Sequence, residues 1–424
     1  MVKSLIFSTF IVFDAIENMI KSSILNQYMD ICKDVLSEVE TKLNKSFKDV
    51  IVETLLLYMV IPQRINYLQL GRYSHSCEQR FRMNSAKEFD WLSFNLSLSK
   101  KVLTGTRKAI AIDPSYISKS GKQTPWIGYF WSGCAGAAKR GLEILGIGLI
   151  DVDHKDCISL EAVQTPDSIT LGNYDGNLIS WYLGVLEEKA TKLLEVTKYI
   201  VADAYFSKKN FTDGLAKLGF HLISRFRDDA ILFYPTTQLP TGKRGRPKLY
   251  DSKIDFANLD LNRFEKINLL HIDNGNLYTT IAYSKSLKQM VKLVVWISDK
   301  GKKHKLYFST NINLSGKDVI ETYRTRFQIE FNFRDAKQFT GLNQCQARNL
   351  SKLKFNFNAS LTAVNVAKIV AKEKGINFSM VSLKTMMHNA FLLQRFICVS
   401  GIRPNKRLND NLFKELIEFA AIAA

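Results

Sequence analysis

The sequence ETYRTRFQIEFNFRDAKQ, residues 321–338, decides the fold of the second half of the chain. Its spacing predicts a single helix with a polar stripe about 60° wide along one side. The stripe consists of Tyr323, Arg326, Glu330 and Lys337. A helix that packs against a core places apolar residues on such a stripe, so these four predict a functional face. The spacing alone also fits a solvated face held by ion pairs four residues apart.

Short apolar runs upstream of this helix predict buried β-strands, and two of them end in an aspartate. KAIAID (108–113) ends at Asp113, and KYIVAD (198–203) ends at Asp203. Pro114 follows the first aspartate and is expected to stop its strand. The predicted order is three strands (108–113, 124–133, 141–153), a helix (177–195), a strand (198–203), a helix (208–219) and a strand (220–226).

An aspartate that directly follows a buried strand lies at the carboxyl edge of a sheet, where α/β proteins place their ligands. Asp113 and Asp203 could therefore join Glu330 in a site of three carboxylates. Hard oxygen ligands select Mg²⁺ or Mn²⁺, and two such ions suit in-line attack on a phosphodiester. For either aspartate alone, a strand-end residue that caps the next backbone amides is the simpler interpretation.

These residues also carry a resemblance to a known family. The chain resembles DDE-type insertion-sequence transposases, specifically the group with the signature Y-x2-R-x3-E-x6-K that is often called the insertion-sequence-four family. Residues 323–337 match that signature at every spacing. Asp113 in AIDPSYISKSG (111–121) matches the first catalytic block, and Asp203 in the stretch 201–230 matches the second. The resemblance covers about residues 107–375.

The resemblance implies an α/β fold with an RNase H-like mixed-sheet catalytic core and a β-rich insertion. Helical apolar spacing before residue 104 and after residue 313 predicts a helical N-terminal region and C-terminal helices. The expected organisation is 1–104 for a helical region that binds the DNA ends, 105–234 for the first part of the core, 235–312 for the insertion, 313–375 for the second part of the core with Glu330, and 376–424 for C-terminal helices.

By the same resemblance, Asp113, Asp203 and Glu330 are the catalytic residues and hold two Mg²⁺ or Mn²⁺ ions. Tyr323, Arg326 and Lys337 would position DNA phosphates. Two further DNA-binding candidates are Arg225, on the basic strand of the second block, and Trp296, for which a role inside its strand is the simpler interpretation.

The implied function is metal-dependent cleavage at the ends of an insertion sequence, followed by strand transfer into target DNA. The alternatives are a catalytically inactive DNA-binding protein derived from a transposase and a metal-dependent DNA nuclease that does not join strands. The expected DNA partners are the terminal inverted repeats and the target, with a homodimer in the paired-end complex.

Composition agrees with a polyanionic partner, because 59 Lys and Arg face 40 Asp and Glu, for a net charge of +19. The apolar runs 5–13 and 55–61 are too short to span a membrane and predict buried helices. Six scattered cysteines without a C-x-x-C pair predict neither disulfides nor a zinc site, and favour a reducing, cytoplasmic setting.

One other acidic stretch, DVDHKD (151–156), could be mistaken for a second metal site. Asp151 and Asp153 would share one face of a strand. The stretch matches no ligand block of the family, so we expect a solvated strand end.

Overall fold

The computed structural model describes residues 23–39, 43–172, 177–236, 250–269, 274–299, 301, 303–400 and 406–422. The apolar run 5–13 lies outside these ranges. The run 55–61 is buried and belongs mostly to a helix, as predicted. None of the helices in the described part of the chain has the length and apolar character needed to cross a membrane.

The described N-terminal region is helical, as its apolar spacing predicts. Its helices are α1 (Ile24–Glu38), α2 (Lys45–Val60), α3 (Tyr67–Tyr73), α4 (Glu78–Asn84) and α5 (Trp91–Val102). Polar side chains begin several of them, because a free backbone N–H in the first turn needs an acceptor. Asn44 accepts from Phe47 N, and Asp90 accepts from Ser93 N.

A mixed sheet of 12 described strands forms the centre of the molecule. The strands are β1 (Lys108–Ser118), β2 (Gly128–Ser132), β3 (Ala137–Asp151), β4 (Asp156–Gln164), β5 (Tyr199–Val201), β6 (His221–Arg225), β7 (Leu232–Pro235), β8 (Tyr250–Lys253), β9 (Glu265–Ile267), β10 (Gly275–Ser284), β11 (Gln289–Ser298) and β12 (His304–Ser309). Their order is β2-β3-β1-β5-β6-β12-β11-β10-β7-β8, with β4 on β3 and β9 on β10. β1, β5 and β6 are parallel, and the other pairings are antiparallel.

Helices connect the parallel strands. Helix α6 (Ser168–Gly172) and helix α7 (Leu178–Leu194) lie between β4 and β5, and α8 (Lys209–Lys217) lies between β5 and β6. The β-rich segment that follows continues the same sheet, because β12 pairs with β6.

The chain then returns to helices, as predicted. They are α9 (Gly316–Thr325), α10 (Gln328–Phe339), α11 (Leu350–Glu373), α12 (Met380–Ser400) and α13 (Lys406–Glu418). Ser315 caps α9 by accepting from Asp318 N, in agreement with the helical spacing that the sequence shows after residue 313. Helix α11 is buried along nearly its whole length, which is typical of a helix at the centre of a large core.

Two strand predictions were wrong. The first strand does not stop before Pro114 but runs on to Ser118. Pro114 is tolerated because β5 pairs only with Ile110 and Ala111, so the later part of β1 has a described partner only in β3. The second error is the omission of β4, which follows the predicted third strand.

The stretch 151–156 is not the solvated strand end expected from the sequence. Asp151 is buried, and its carboxylate accepts from the backbone N–H groups of Gly105, Asp153 and His154. Burial opposes ionisation, but these hydrogen bonds prevail and lower the pKa of Asp151. The aspartate therefore stabilises the turn between β3 and β4.

Candidate functional site

Asp113 lies on β1 where the neighbouring strand ends. β5 finishes at Val201, which pairs with Ala111, and Asp113 follows two residues later along β1. Its side chain is 18% exposed. The end of β5 thus opens a gap in the sheet beside Asp113, and the carboxylate is available there to other groups.

Asp203 follows β5 and reaches the same edge of the sheet. One of its carboxylate oxygens, Oδ1, accepts from Tyr205 N at 3.0 Å and so caps the short turn 204–206. Ser224 on β6 donates to the Asp203 carbonyl at 2.8 Å. Asp203 therefore does cap backbone amides, yet its charge also acts on Asp113, whose pKa it raises.

Glu330 is placed by the close packing of α10 on β3. Two glycines of β3 leave room for apolar side chains of α10. A Cβ on Gly146 would lie 2.2 Å from Cζ of Phe333, and one on Gly148 would lie 3.2 Å from Cδ1 of Ile329. Gly146 pairs with Asp113 across the ladder. The helix therefore seats directly against the strand that neighbours Asp113, and Glu330 is brought to that carboxylate.

The prediction of one continuous helix over the signature was wrong. Helix α9 ends at Thr325 and α10 begins at Gln328, with Arg326 and Phe327 in a turn between them. The backbone stays in the right-handed helical region, but Arg326 N and Glu330 N bond to carbonyls only three residues back. Such local tightening is typical of hinges and functional positions in helices.

Arg326 lies at this break and bridges two of the three acids. Its guanidinium is 2.9 Å from a Glu330 oxygen and 3.4 Å from an Asp113 oxygen. Burial opposes its charge, but the two carboxylates prevail and raise the pKa of Arg326. Its Nε is buried without a hydrogen-bond partner in the structure.

The carboxyl of Asp113 is strongly perturbed. Burial raises its pKa, and the charges of Glu330 and Asp203 raise it further, while Arg326 and Lys337 oppose the increase. The result is a pKa of about 7. Three acids thus compete for negative charge in one small region, which is the electrostatic situation that a bound cation relieves.

Lys337 connects the far end of α10 to β1. Its Nζ donates to Ser115 Oγ at 2.9 Å. Burial lowers the pKa of Lys337, and the Asp113 carboxylate opposes that change. Lys337 therefore lies beside β1 at Ser115, two residues beyond Asp113.

The remaining signature residue, Tyr323, lies on the other side of Arg326. Its ring packs 5.0 Å from the Tyr307 ring, and the Arg326 guanidinium lies 5.9 Å from its centre. Burial raises the pKa of Tyr323, while the charges of Arg326 and Arg225 oppose the increase. Arg225, the last residue of β6, is thereby placed beside Tyr323 as a second cation.

Trp296 is not brought into this cluster. It is half-buried in β11, where Lys305 lies 5.5 Å from its ring. A Cβ on Gly275 would lie 2.5 Å from its Nε1. These contacts agree with the simpler interpretation, a side chain that packs within the sheet.

The described residues contain no group of three or more His, Cys, Asp and Glu side chains close enough to hold a metal ion. Arg326 instead occupies the space between Asp113 and Glu330. The chemistry of the three acids nevertheless fits Mg²⁺ or Mn²⁺, because all are hard oxygen donors and their charge exceeds that of the adjacent cations.

Sequence reasoning missed several residues that build this site. Ser115 holds Lys337, Tyr307 packs on Tyr323, and Gly146 receives Phe333. The alternation of glycine with apolar residues in LGIGLI (145–150) was the available signal, since glycine in a strand often marks close approach of another element.

Comparison with known proteins supports the class of protein that the sequence predicts. Residues 185–366 match the family model described as the transposase DDE domain. The match includes Asp203 and Glu330, and Asp113 lies before it. A search of curated proteins finds no significant match. The mixed sheet, the helices at both ends and this match together confirm the predicted RNase H-like α/β fold.

Proposed function

We propose that the protein is a DNA transposase of the insertion-sequence-four group, which cleaves the ends of its element and joins them to target DNA. The observation that carries this proposal is that Arg326 contacts both Asp113 and Glu330 while the charge of Asp203 acts on Asp113 at the same edge of the sheet. The match to the transposase DDE domain supports the same class.

In this proposal the three carboxylates hold two Mg²⁺ or Mn²⁺ ions. When bound, these ions supply the Lewis acidity that activates a water or a 3′-hydroxyl and neutralises the leaving oxygen. Arg326 must first release Asp113, and the longer of its two contacts, 3.4 Å, is the one that breaks. Arg326 keeps Glu330 through the 2.9 Å contact and turns its free Nε to phosphate.

Three of the other predicted DNA-binding residues, Lys337, Tyr323 and Arg225, lie next to this centre. Lys337, held by Ser115, places a point charge on the phosphate chain beside Asp113. Tyr323 and Arg225 contact the strand on the opposite side of Arg326. Trp296 has the weakest support, since its described contacts are with its own sheet.

The proposal extends to partners and organisation. Terminal inverted repeats and target DNA are the substrates, two protomers act in the paired-end complex, and residues 1–104 recognise the ends. The further segments are those expected from the sequence, 105–234, 235–312, 313–375 and 376–424. All six cysteines are free thiols, which supports a reducing, cytoplasmic setting.

Two alternatives differ from this proposal in chemistry. A nuclease would cleave DNA but would not join the ends to a target. An inactive derivative would bind DNA without cleaving it, and the presence of all three acids argues against such decay.

A paired-end assay tests the proposal and separates the alternatives. The protein is mixed with labelled duplexes taken from the DNA that borders its reading frame, with Mg²⁺ or with EDTA. We expect Mg²⁺-dependent cleavage that leaves a 3′-hydroxyl, followed by joined products. Cleavage without joining would support the nuclease, and binding without any cleavage would support the inactive derivative.

A further inference from the structure

A wide polar groove with an unusual charge lies beyond the candidate site. Its volume is about 1230 Å³, larger than the roughly 300–1,000 Å³ of small-molecule pockets. Its walls come from the segment after α2, the end of β1, the end of α10 with the following loop, and α12. The cationic side chains are Arg64, Lys119, Arg348 and Lys384. No Asp or Glu is found among the described residues that line it.

Two of the four cations are held by the protein itself. Lys119 donates to the Cys345 carbonyl, and Lys384 donates to carbonyls in the last turns of α2 and α10. Burial lowers the pKa of Lys384 to about 8. Burial and the nearby charge of Arg64 both lower the pKa of Lys119. These two lysines therefore fix the walls of the groove and contribute charge to it.

The other two cations face solvent. Arg64 and Arg348 are exposed, and Arg348 donates to the Gln123 side chain at 2.8 Å. In the described part of the chain, none of the four groove cations forms an ion pair with a carboxylate. The groove thus concentrates positive charge that the fold does not neutralise, and a polyanion is its complement.

The groove continues directly from the candidate site. β1 carries Asp113 and ends at Ser118, which lines the groove. Five residues of strand span about 17 Å. On the opposite side, Lys337 lies beside Ser115, and the next residue, Gln338, lines the groove. A chain of phosphates that passes Asp113 and Lys337 would therefore have the groove within reach.

We propose that this groove binds the phosphate backbone of duplex DNA beyond the phosphate held at Asp113, at a distance of about 17 Å along β1. This inference depends on the proposed function for the direction of the DNA. The arginines contact the backbone, and the two lysines hold the groove open and add to its field.

The test compares two double variants with equal loss of charge. Arg64→Ala/Arg348→Ala removes the exposed groove cations. The matched control, Lys198→Ala/Lys217→Ala, removes two exposed lysines that precede the first residues of β5 and β6. They lie at the ends of these strands that are away from Asp203 and Arg225. Affinity for a labelled duplex is measured without metal between 50 and 200 mM salt, so cleavage plays no part.

Each lost phosphate contact should reduce the slope of log affinity against log salt by about 0.9. We expect the groove variant to lose about 1.8 from the slope and the control to lose much less. Equal slopes in the two variants would overturn the proposal. Competition with inorganic phosphate tests whether the groove is instead a small-anion site. If millimolar phosphate displaces the duplex from wild type and the groove variant keeps the wild-type slope, the groove proposal is also overturned.

The two proposals can fail separately. If the groove variant loses slope but the wild type never cleaves DNA, the groove stands and the transposase proposal fails. If the wild type cleaves and joins ends while the groove variant retains its slope, only the groove proposal fails.

Discussion

Two polar clusters lie on opposite sides of β3, and they differ in how completely the protein satisfies the hydrogen-bonding groups and charges of each. The asparagine cluster consists of Asn95, Asn358 and Asn365, which bond to β4. The carboxylate cluster consists of Asp113, Asp203 and Glu330 with Arg326 and Lys337. Both are formed by helices against the same sheet, yet the first is neutral and the second carries an excess of acid.

The asparagine cluster is complete within the protein. Asn358 accepts from Ala162 N and donates to Ala162 O, and Asn365 makes the same pair of bonds with Ser159. Asn95 donates to the Leu160 carbonyl and accepts from Asn365. The three side chains imitate a neighbouring strand and close the free edge of β4, an edge that would otherwise be open to pairing.

The polar groups of the carboxylate cluster do not all have partners inside the protein. Arg326 Nε lacks a partner, and the Asp113 pKa is raised to about 7. The three asparagines thus find partners for their side-chain amides inside the chain, whereas the carboxylate cluster leaves charge that a ligand can neutralise. Four predictions test this comparison.

The largest effect should follow from Asp113→Asn. The substitution preserves volume but removes a hard anionic ligand, so we expect single-turnover cleavage to fall by about 1000-fold or more, the size of effect seen when a key electrostatic group is removed. Circular dichroism and metal-free DNA affinity should stay near wild type. Cleavage within a few-fold of wild type would remove Asp113 from the site.

In contrast, Asn358→Ala should affect stability and leave the chemistry unchanged. The substitution leaves the buried N–H and C=O of Ala162 without their hydrogen-bond partner, at a cost of about 1–3 kcal/mol each. The free energy of unfolding should therefore fall by about 2–4 kcal/mol. Chemical denaturation measures this loss, with Asn313→Ala, an exposed loop position, as the control. The cleavage rate of the folded fraction should not change, and a stable Asn358→Ala protein would refute the structural role of the cluster.

The third prediction concerns pH in the absence of metal. Because the folded-state pKa of Asp113 is raised from 3.8 to about 7, the folded protein holds this proton more tightly than the unfolded chain. Stability from Asp113 is therefore greatest below pH 4 and declines as pH rises to about 7. At about 1.4 kcal/mol per pKa unit, the loss of unfolding free energy between pH 4 and pH 7 cannot exceed about 4 kcal/mol, and we expect a loss of about 2 kcal/mol.

Asp113→Asn supplies the reference for that measurement, because it cannot titrate. The difference in unfolding free energy between wild type and this variant should change between pH 4 and pH 7 and be flat above. Added Mg²⁺ should stabilise wild type at pH 8 and have little effect on the variant. A difference that does not change with pH would show that the pKa of Asp113 is not raised in the folded protein.

The sequence predicted those parts of the carboxylate cluster that depend on local pattern. Those parts are the spacing from Tyr323 to Lys337 and the apolar strands before Asp113 and Asp203, each of which is encoded within a few residues. The helix break at Arg326 was not predicted. Of the two carboxylates that Arg326 contacts there, Glu330 is four residues away, but Asp113 is 213 residues away and no local pattern connects the two.

The asparagine cluster was not predicted at all. Asn358 and Asn365 lie in the segment that was correctly interpreted as a helix, but their partners Ala162 and Ser159 are about 200 residues away. Strand β4 itself was missed because its apolar run followed another so closely. Long-range pairing of this kind leaves no periodic signal in one sequence.

The smallest effect should come from the packing that joins the two sides of β3. Gly146→Ala places a methyl group against Phe333, so α10 must move by a fraction of an ångström. We expect a loss of about 1 kcal/mol in unfolding free energy and about 10-fold in cleavage, since Glu330 moves with the helix. Gly184→Ala on α7, where a Cβ meets nothing within 4 Å, is the control. It should leave cleavage unchanged and raise the free energy of unfolding by about 0.5–1 kcal/mol, because alanine favours a helix interior over glycine. Phe333→Leu in the Gly146→Ala background should restore cleavage by making room for the new methyl. If Gly146→Ala cleaves DNA at the wild-type rate, the seating of α10 on this glycine does not position Glu330.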